Sequence, residues 1–76
     1  MPPITKQQLE FALSQLQALQ PWADYSIGYA YGGTRLESMG GSIAISDRGT
    51  KRQTYDYIRA MLQALRSQQM HDSFNH

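Results

Sequence analysis

The sequence predicts an α+β fold: a single small domain with the element order αβββα, in which two helices pack on one face of a three-stranded antiparallel meander. Apolar residues recur at three- and four-residue spacing near both ends of the chain, alternate in the middle, and are divided there by two glycine pairs. These three observations predict the fold. The 76 residues are expected to form one domain, 1–76, with an ordered core over about 4–70 and a frayed tail over 71–76.

The first helix is predicted to begin at Lys6 because Thr5 and Gln8 have the spacing of a capping box, in which each side chain accepts a hydrogen bond from the other residue's amide. Pro21 cannot continue a helix, so the helix should end just before it. Trp22 then follows at a point where it can fold back as an anchor of the core. The apolar stripe of this helix consists of Leu9, Ala12, Leu13, Leu16 and Leu19.

Two hairpin turns are predicted at Gly32-Gly33 and Gly40-Gly41, because both central residues of a two-residue turn take positive φ. The first turn would place Tyr29 opposite Leu36. The second would place Ser38 opposite Ile43. Both registers bring the same apolar side chains to one face of the sheet, where the helices should pack: Ile27, Tyr29, Leu36, Ile43 and Ile45.

The second helix is predicted to begin at residue 51, because Thr50 and Gln53 repeat the capping box, and to end near residue 68. Its core side would carry Tyr57, Ile58, Met61, Leu62 and Leu65. Its opposite side carries Arg52, Arg59 and Arg66, here called the arginine stripe. A step of seven residues returns to nearly the same direction on a helix, so these side chains should form a line.

The net charge of +1 hides an uneven distribution, since residues 48–66 hold five basic residues and one acid, a balance of +4. Laid along a phosphate backbone, this segment would be a nucleic-acid contact, with Tyr55 beside the stripe to stack on a base or bond to a sugar. The alternative is a solvated helix face on which Asp56 pairs with arginines, and we favour it. The nucleic-acid candidates are Arg48, Lys51, Arg52, Tyr55, Arg59 and Arg66.

The order αβββα, with Gly49-Thr50-Lys51-Arg52 opening the last helix, resembles the double-stranded-RNA-binding domain. The last helix of that family opens with a serine-lysine-lysine grip on phosphate. The resemblance covers this short segment and the element order, and it implies contacts with an RNA backbone there. A bare Gly32-Gly33 turn stands where that family has a Pro-His loop for the minor groove, so we do not assign the chain to it.

No enzyme is predicted. Cysteine is absent, both histidines lie in the last residues of the chain, and the acids are scattered singly. His71, Asp72 and His76 do not form a recognisable metal motif, and the glycine-rich middle lacks a phosphate-loop pattern. Catalytic residues, cofactors, metals and small-molecule substrates are therefore not expected.

A cytoplasmic location is the expectation, since no apolar run is long enough to span a membrane and Met1-Pro2-Pro3 opens no secretory leader. The leading functional expectation is a small non-enzymatic binding protein that acts through protein contacts, including a homodimer, of the kind that bacteria or phages encode as accessory or inhibitor factors. Marginal size favours self-association.

Two surfaces are expected to carry such protein contacts. Phe11 points away from the apolar stripe of the first helix. The sheet face away from the helices has low relief, and nothing in the sequence is expected to cover it. The protein-contact candidates on these surfaces are Phe11, Gly28, Ala30, Arg35, Glu37, Met39 and Ala44.

Overall fold

The computed structural model describes the backbone of residues 3–74 and the side chains of residues 3–68. Its elements are α1 (Lys6–Leu19), β1 (Ser26–Ala30), β2 (Gly33–Ser38), β3 (Ile43–Ala44) and α2 (Lys51–Phe74). Single turns of 3-10 helix lie at Pro21–Ala23 and Met39–Gly41. The strands form an antiparallel sheet in the order β1-β2-β3, so the predicted α+β fold and the order αβββα are confirmed.

Both helices begin with the predicted capping boxes. The Gln8 amide donates to Thr5 Oγ1 at 3.1 Å and the Thr5 amide donates to Gln8 Oε1 at 2.9 Å. The matching distances at Thr50 and Gln53 are 3.1 and 2.8 Å. These bonds satisfy amides that the first turn of a helix leaves without intrahelical partners.

The predicted end of the second helix is wrong, because α2 continues to Phe74. No glycine or proline follows residue 68 to stop the helix, and polar residues alone do not end one. Residues 75 and 76 of the predicted tail lie outside the described residues.

The register of β1 with β2 differs from the prediction by two residues. Ile27 lies opposite Leu36, and Tyr29 lies opposite Thr34. A shift of two residues keeps every side chain on its own face of the sheet, whereas a shift of one would have reversed the faces. The predicted inward face is therefore retained although its pairs differ.

The turn between β1 and β2 lies one residue earlier than predicted, which is why the register shifts. Its central residues are Tyr31 and Gly32, with φ of 53° and 71°. Gly33 instead belongs to β2, where a Cβ atom would come 2.9 Å from the carbonyl oxygen of Gly49. Close backbone approach, not turn geometry, requires glycine at this position, and Tyr31 is left fully exposed.

The register of β2 with β3 agrees with the prediction, since Ser38 lies opposite Ile43. The strand β3 ends after two residues at a β-bulge, where the amides of Ile45 and Ser46 both donate to Leu36 O at 2.9 and 3.3 Å. The Ser46 hydroxyl accepts from the Leu36 amide at 2.9 Å and so replaces a backbone partner. Ile43, next to this short edge, is 52% exposed.

The core lies between the two helices and the face of the sheet that carries Leu36, as predicted. Leu36 occupies the centre of the sheet and is fully buried. Residues of both helices pack against it. The buried core cluster consists of Ile4, Leu9, Ala12, Leu16, Leu36, Ile58 and Leu62.

Three aromatic residues predicted in the core are exposed, and one of them is Tyr29 on the edge strand β1, at 45%. Trp22 is 73% exposed, because the 3-10 turn that Pro21 begins buries Ala23 instead. Tyr57 is 41% exposed, whereas Tyr55 packs against the core cluster.

The position of Tyr55 follows from a buried residue that the hydrophobic pattern could not identify. Thr54 is 2% exposed and occupies the core face of α2 together with Ile58 and Leu62. Thr54, Ile58 and Leu62 are four residues apart, so they lie on one face of α2. This buried face points away from Tyr57.

Thr34 and Thr54 join β2 to the first turns of α2 inside the protein. Their hydroxyl oxygens lie 2.7 Å apart, and Thr54 Oγ1 donates to Thr34 O at 3.1 Å. The backbone of Thr34 exchanges two hydrogen bonds of 2.8 Å with Gly49, which extends the sheet to the residue before the Thr50 cap. The start of α2 is thereby fixed to the central strand.

The Thr54→Val substitution is expected to lower the free energy of unfolding by about 1–2 kcal/mol, because it removes a buried hydroxyl and leaves Thr34 Oγ1 with only its longer bond to Thr50 O, 3.3 Å. Urea denaturation followed by circular dichroism measures the change. The double variant Thr34→Val with Thr54→Val should lose less than the sum of the two single variants. A Thr54→Val protein as stable as the unaltered chain would contradict this role.

Candidate functional site

The outer face of the sheet, which points away from the helices, is covered by long polar side chains. Arg35 Nε lies 2.7 Å from Glu37 Oε2, and the Glu37 carboxylate lies directly across Gly28, where a Cβ atom would collide with it. The Glu37 side chain is only 13% exposed. The small residues Gly28 and Ala30 give these side chains room to lie flat on the strands.

Arg48 completes this cover from the loop before α2. Its side chain passes over Gly33, and its Nη1 donates to the carbonyl oxygens of Gly28 at 3.2 Å and Ala30 at 3.3 Å. The guanidinium also lies 6.0 Å from the centre of the Tyr31 ring. The expectation that nothing covers this face is therefore wrong, and the guanidinium of Arg48 contacts the sheet.

The remaining outer-face candidates lie at the end of the sheet near β3. Met39 is 55% exposed in the turn between β2 and β3, and Ala44 is exposed on β3. The bond from the Gly40 amide to Asp24 O, 3.4 Å long, brings this turn beside the 3-10 turn that contains Trp22. Exposed apolar side chains are thus found on both turns at this end of the sheet.

The arginine stripe lies on the exposed side of α2. Arg52 Nε is 3.5 Å from Asp56 Oδ1, and both side chains are well exposed, so this pair contributes little to stability. Among the described side chains, Arg59 and Arg66 form no ion pair. Tyr55 is half-buried against the core, and its position four residues before Arg59 places it at the border between the core face and the stripe.

An open depression on α2 is lined by Arg59, Arg66 and their neighbours. All of its lining residues come from the same helix, so it is the space between exposed side-chain ridges and not an enclosed ligand pocket. The lining residues are Asp56, Arg59, Ala60, Gln63, Arg66 and Ser67.

A second depression lies at the start of α2, beside the exposed Lys51. The amide of Gln53 already donates to the Thr50 side chain there, and the negative charge of Asp47 in the lining offsets the positive charge of Arg48. Both features weaken the attraction for an anion that a free helix start would have.

Phe11 lies on the outer side of α1 and is 66% exposed, in the direction that its helical phase predicts. Gln7 and Ala18 share this side of the helix and are also exposed. Together with Trp22, Phe11 is one of the large aromatic side chains that the core leaves in contact with water.

Tyr29 makes contacts that the hydrophobic pattern did not indicate. Its hydroxyl donates to Glu10 Oε1 at 2.8 Å, and Lys6 Nζ lies 5.2 Å from the centre of its ring. Burial, together with the hydrogen bond to Glu10 and the charge of that carboxylate, raises the pKa of Tyr29 to about 12. Lys6 and Glu10 are four residues apart and therefore lie on the same side of α1. This spacing is the feature of the sequence that could have indicated a contact with Tyr29.

The described part of the chain contains no group of three or more histidine, cysteine, aspartate or glutamate side chains placed to hold a metal ion. Its helices include none with an apolar segment long enough to cross a bilayer.

Comparison of the chain with models of known protein families, with curated proteins and with solved structures finds no match. The resemblance to the double-stranded-RNA-binding domain therefore depends on the element order and the residues that open α2 alone. What the fold and surfaces define is an α+β domain with exposed aromatic side chains on α1 and its following turn and with a basic outer side on α2.

Tyr29 should make the stability of the fold depend on pH between about 10 and 12. Its phenol ionises near pH 10 in the unfolded chain and near 12 in the folded one, so the folded state keeps a proton that the unfolded state loses. This stabilisation is complete below pH 10 and is lost as the pH rises towards 12. Urea denaturation at about pH 9 and about pH 11 should show a larger loss for the unaltered protein than for Tyr29→Phe.

Tyr25, whose pKa is also raised by burial and by the nearby Tyr57, is present in both proteins and cancels in this comparison. An equal loss of stability in the two proteins would show that the Tyr29 phenol does not hold its proton through the contact with Glu10.

Proposed function

We propose that this protein is a non-enzymatic binding protein that acts through contacts with other proteins and with a second copy of itself. The observation that supports the proposal is the exposure of two large aromatic side chains, Phe11 at 66% and Trp22 at 73%, on a domain with a small core. Single exposed apolar residues are common on protein surfaces, but Trp and Phe are enriched where proteins bind one another.

The surface charge is compatible with this function. The Arg35–Glu37 and Arg52–Asp56 pairs balance charges on the outer face of the sheet and on α2. A mixed surface of this kind neither repels a second copy strongly nor requires a highly charged partner. We further propose a cytoplasmic location and a role as an accessory or inhibitor factor of bacterial or phage origin, and the lack of cysteine in the sequence supports this proposal.

Phe11→Asp is expected to abolish binding of partner proteins, because it removes an aromatic contact and places a charge where an apolar surface must be buried. Affinity capture from a lysate of the source cells, followed by mass spectrometry, compares it with the unaltered protein. Gln7→Asp is the matched control, since it adds the same charge to an exposed position on the same side of α1. Capture of the same proteins by Phe11→Asp and the unaltered chain would contradict the role of Phe11.

The homodimer is tested by size-exclusion chromatography with light scattering over a range of protein concentrations. The measured mass should rise from that of one chain, 8.6 kDa, towards twice that value as the concentration increases. A strict monomer that also shows no loss of partners in Phe11→Asp would overturn the proposed function.

A second candidate function is nucleic-acid binding by the outer side of α2. It is favoured by Arg59 and Arg66, which are exposed and free of ion pairs among the described side chains. Their seven-residue spacing places them on one line of the helix. Tyr55, the aromatic residue expected beside them, is half-buried against the core, and this makes nucleic-acid binding the weaker candidate.

Nucleic-acid binding predicts an affinity that falls steeply with salt. In fluorescence anisotropy with duplex and single-stranded DNA and RNA, the slope against salt should decrease by about one unit for each of Arg59→Ala and Arg66→Ala. Lys6→Ala, on the other helix, is the control and should leave the slope unchanged. No binding to any of the four nucleic acids at low salt would exclude this function.

A further inference from the structure

The strand β1 lies at an edge of the sheet with part of its backbone unpaired. The backbone groups of Thr34 and Leu36 point towards Gly49 and the β-bulge, so the residues of β2 that bond to β1 are the alternate ones. Their partners in β1 are Ser26, Gly28 and Ala30. The N–H and C=O groups of Ile27 and Tyr29 therefore point outward, and no described residue bonds to them.

The two edges of the sheet differ in how they are protected. On β3 only Ala44 points its backbone outward, because the strand is two residues long and ends in the bulge at Ile45 and Ser46. On β1 neither a bulge, a proline nor a charged residue interrupts the edge. An edge of this kind accepts another extended strand, since such a strand supplies the missing donors and acceptors.

We propose that β1 pairs in antiparallel fashion with β1 of a second copy of this chain, so that two sheets join into one. This inference depends on the proposed function, since it assigns the surface through which the homodimer forms. The two-fold axis passes at Gly28, which places Ile27 of each copy opposite Tyr29 of the other.

The axis at Gly28 is the register that uses every outward backbone group of both copies. Moving the axis to Ile27 would bring Tyr25 into the pairing, but the Tyr25 amide already donates to Gln17 Oε1 at 2.7 Å. Moving it to Tyr29 would leave Ile27 unpaired. Pairing at Gly28 also sets a β-branched side chain against an aromatic one on the helix side, a favourable cross-strand pair.

The chemistry of β1 favours a second copy over a charged foreign strand. Its residues, Ser26 to Ala30, carry no charge, so self-pairing brings no like charges into opposition within the strands. On the outer face, the Glu37 carboxylate lies over Gly28, whose carbonyl accepts from Arg48. Each copy therefore brings the Glu37 carboxylate to the axis, and the charge of this carboxylate is balanced by Arg35 Nε at 2.7 Å.

Amide hydrogen exchange followed by NMR tests the inference directly. In a concentrated sample, the amides of Ile27 and Tyr29 should exchange at least about ten times more slowly than in a dilute one, because the dimer bonds them. The outward amide of Ala44, on the other edge, is the internal control and should not change. A dimer in which Ile27 and Tyr29 exchange at the same rate at both concentrations would overturn the inference and leave the proposed function intact.

A pair of variants at one position supplies a second test. Tyr29→Pro removes an outward amide that β2 does not use, so an edge strand can tolerate it. Tyr29→Ala removes the same side chain and keeps the amide. Light scattering should show Tyr29→Pro dimerising about 30-fold more weakly than Tyr29→Ala, as expected for the loss of the two symmetric hydrogen bonds.

Circular dichroism must first show that both variants are folded, and the exchange experiment decides the question if Tyr29→Pro is not. Equal dimerisation of two folded variants would overturn the inference. If the unaltered protein is monomeric at every concentration and its Ile27 and Tyr29 amides stay open, self-pairing is excluded and the edge is free for a strand from another protein.

Discussion

The rest of the structure depends on the buried contact between Thr34 on β2 and Thr54 on α2. Hydroxyl groups in a core must be hydrogen-bonded, and the bonds that join these two to each other, to Thr34 O and to Thr50 O form with α2 in the rotation that it has here. That rotation buries Ile58 and Leu62, places Tyr55 against the core and leaves the arginine stripe in water. A short polar contact therefore determines which side of α2 a partner can reach.

Features of the fold that depend on neighbours in the sequence could be predicted, and those that depend on distant contacts could not. The capping boxes at Thr5 and Thr50 are complete within four residues, so the start of each helix follows from local chemistry. The exposure of Trp22 and the shift of the first hairpin turn depend on packing against other elements. Thr54 was missed because hydropathy assigns a threonine to the surface unless its partner is known.

The same distinction between local and distant contacts applies to the candidate surfaces. Exposure of Phe11 follows from the helical phase of α1 alone, whereas the role of Arg48 required knowledge of the strands that its guanidinium crosses. The sequence predicts Gly28 to be part of a flat, open surface. In the structure the Glu37 carboxylate occupies the space that a side chain at Gly28 would fill. Long polar side chains can cover small residues without leaving a hydrophobic signal in the sequence.

The backbone conformation of Tyr31 affects the order in which parts of the chain are expected to fold. A tyrosine at φ of 53° lies in a backbone region that costs a residue with a side chain about 1–2 kcal/mol relative to glycine. The turn between β1 and β2 is thus a poor nucleus for its own hairpin. Its register is secured by the burial of Leu36 and by the bridge from Thr34 to Gly49, which form only when α2 is in place. We therefore expect the hairpin to form late in folding, after the last helix has docked.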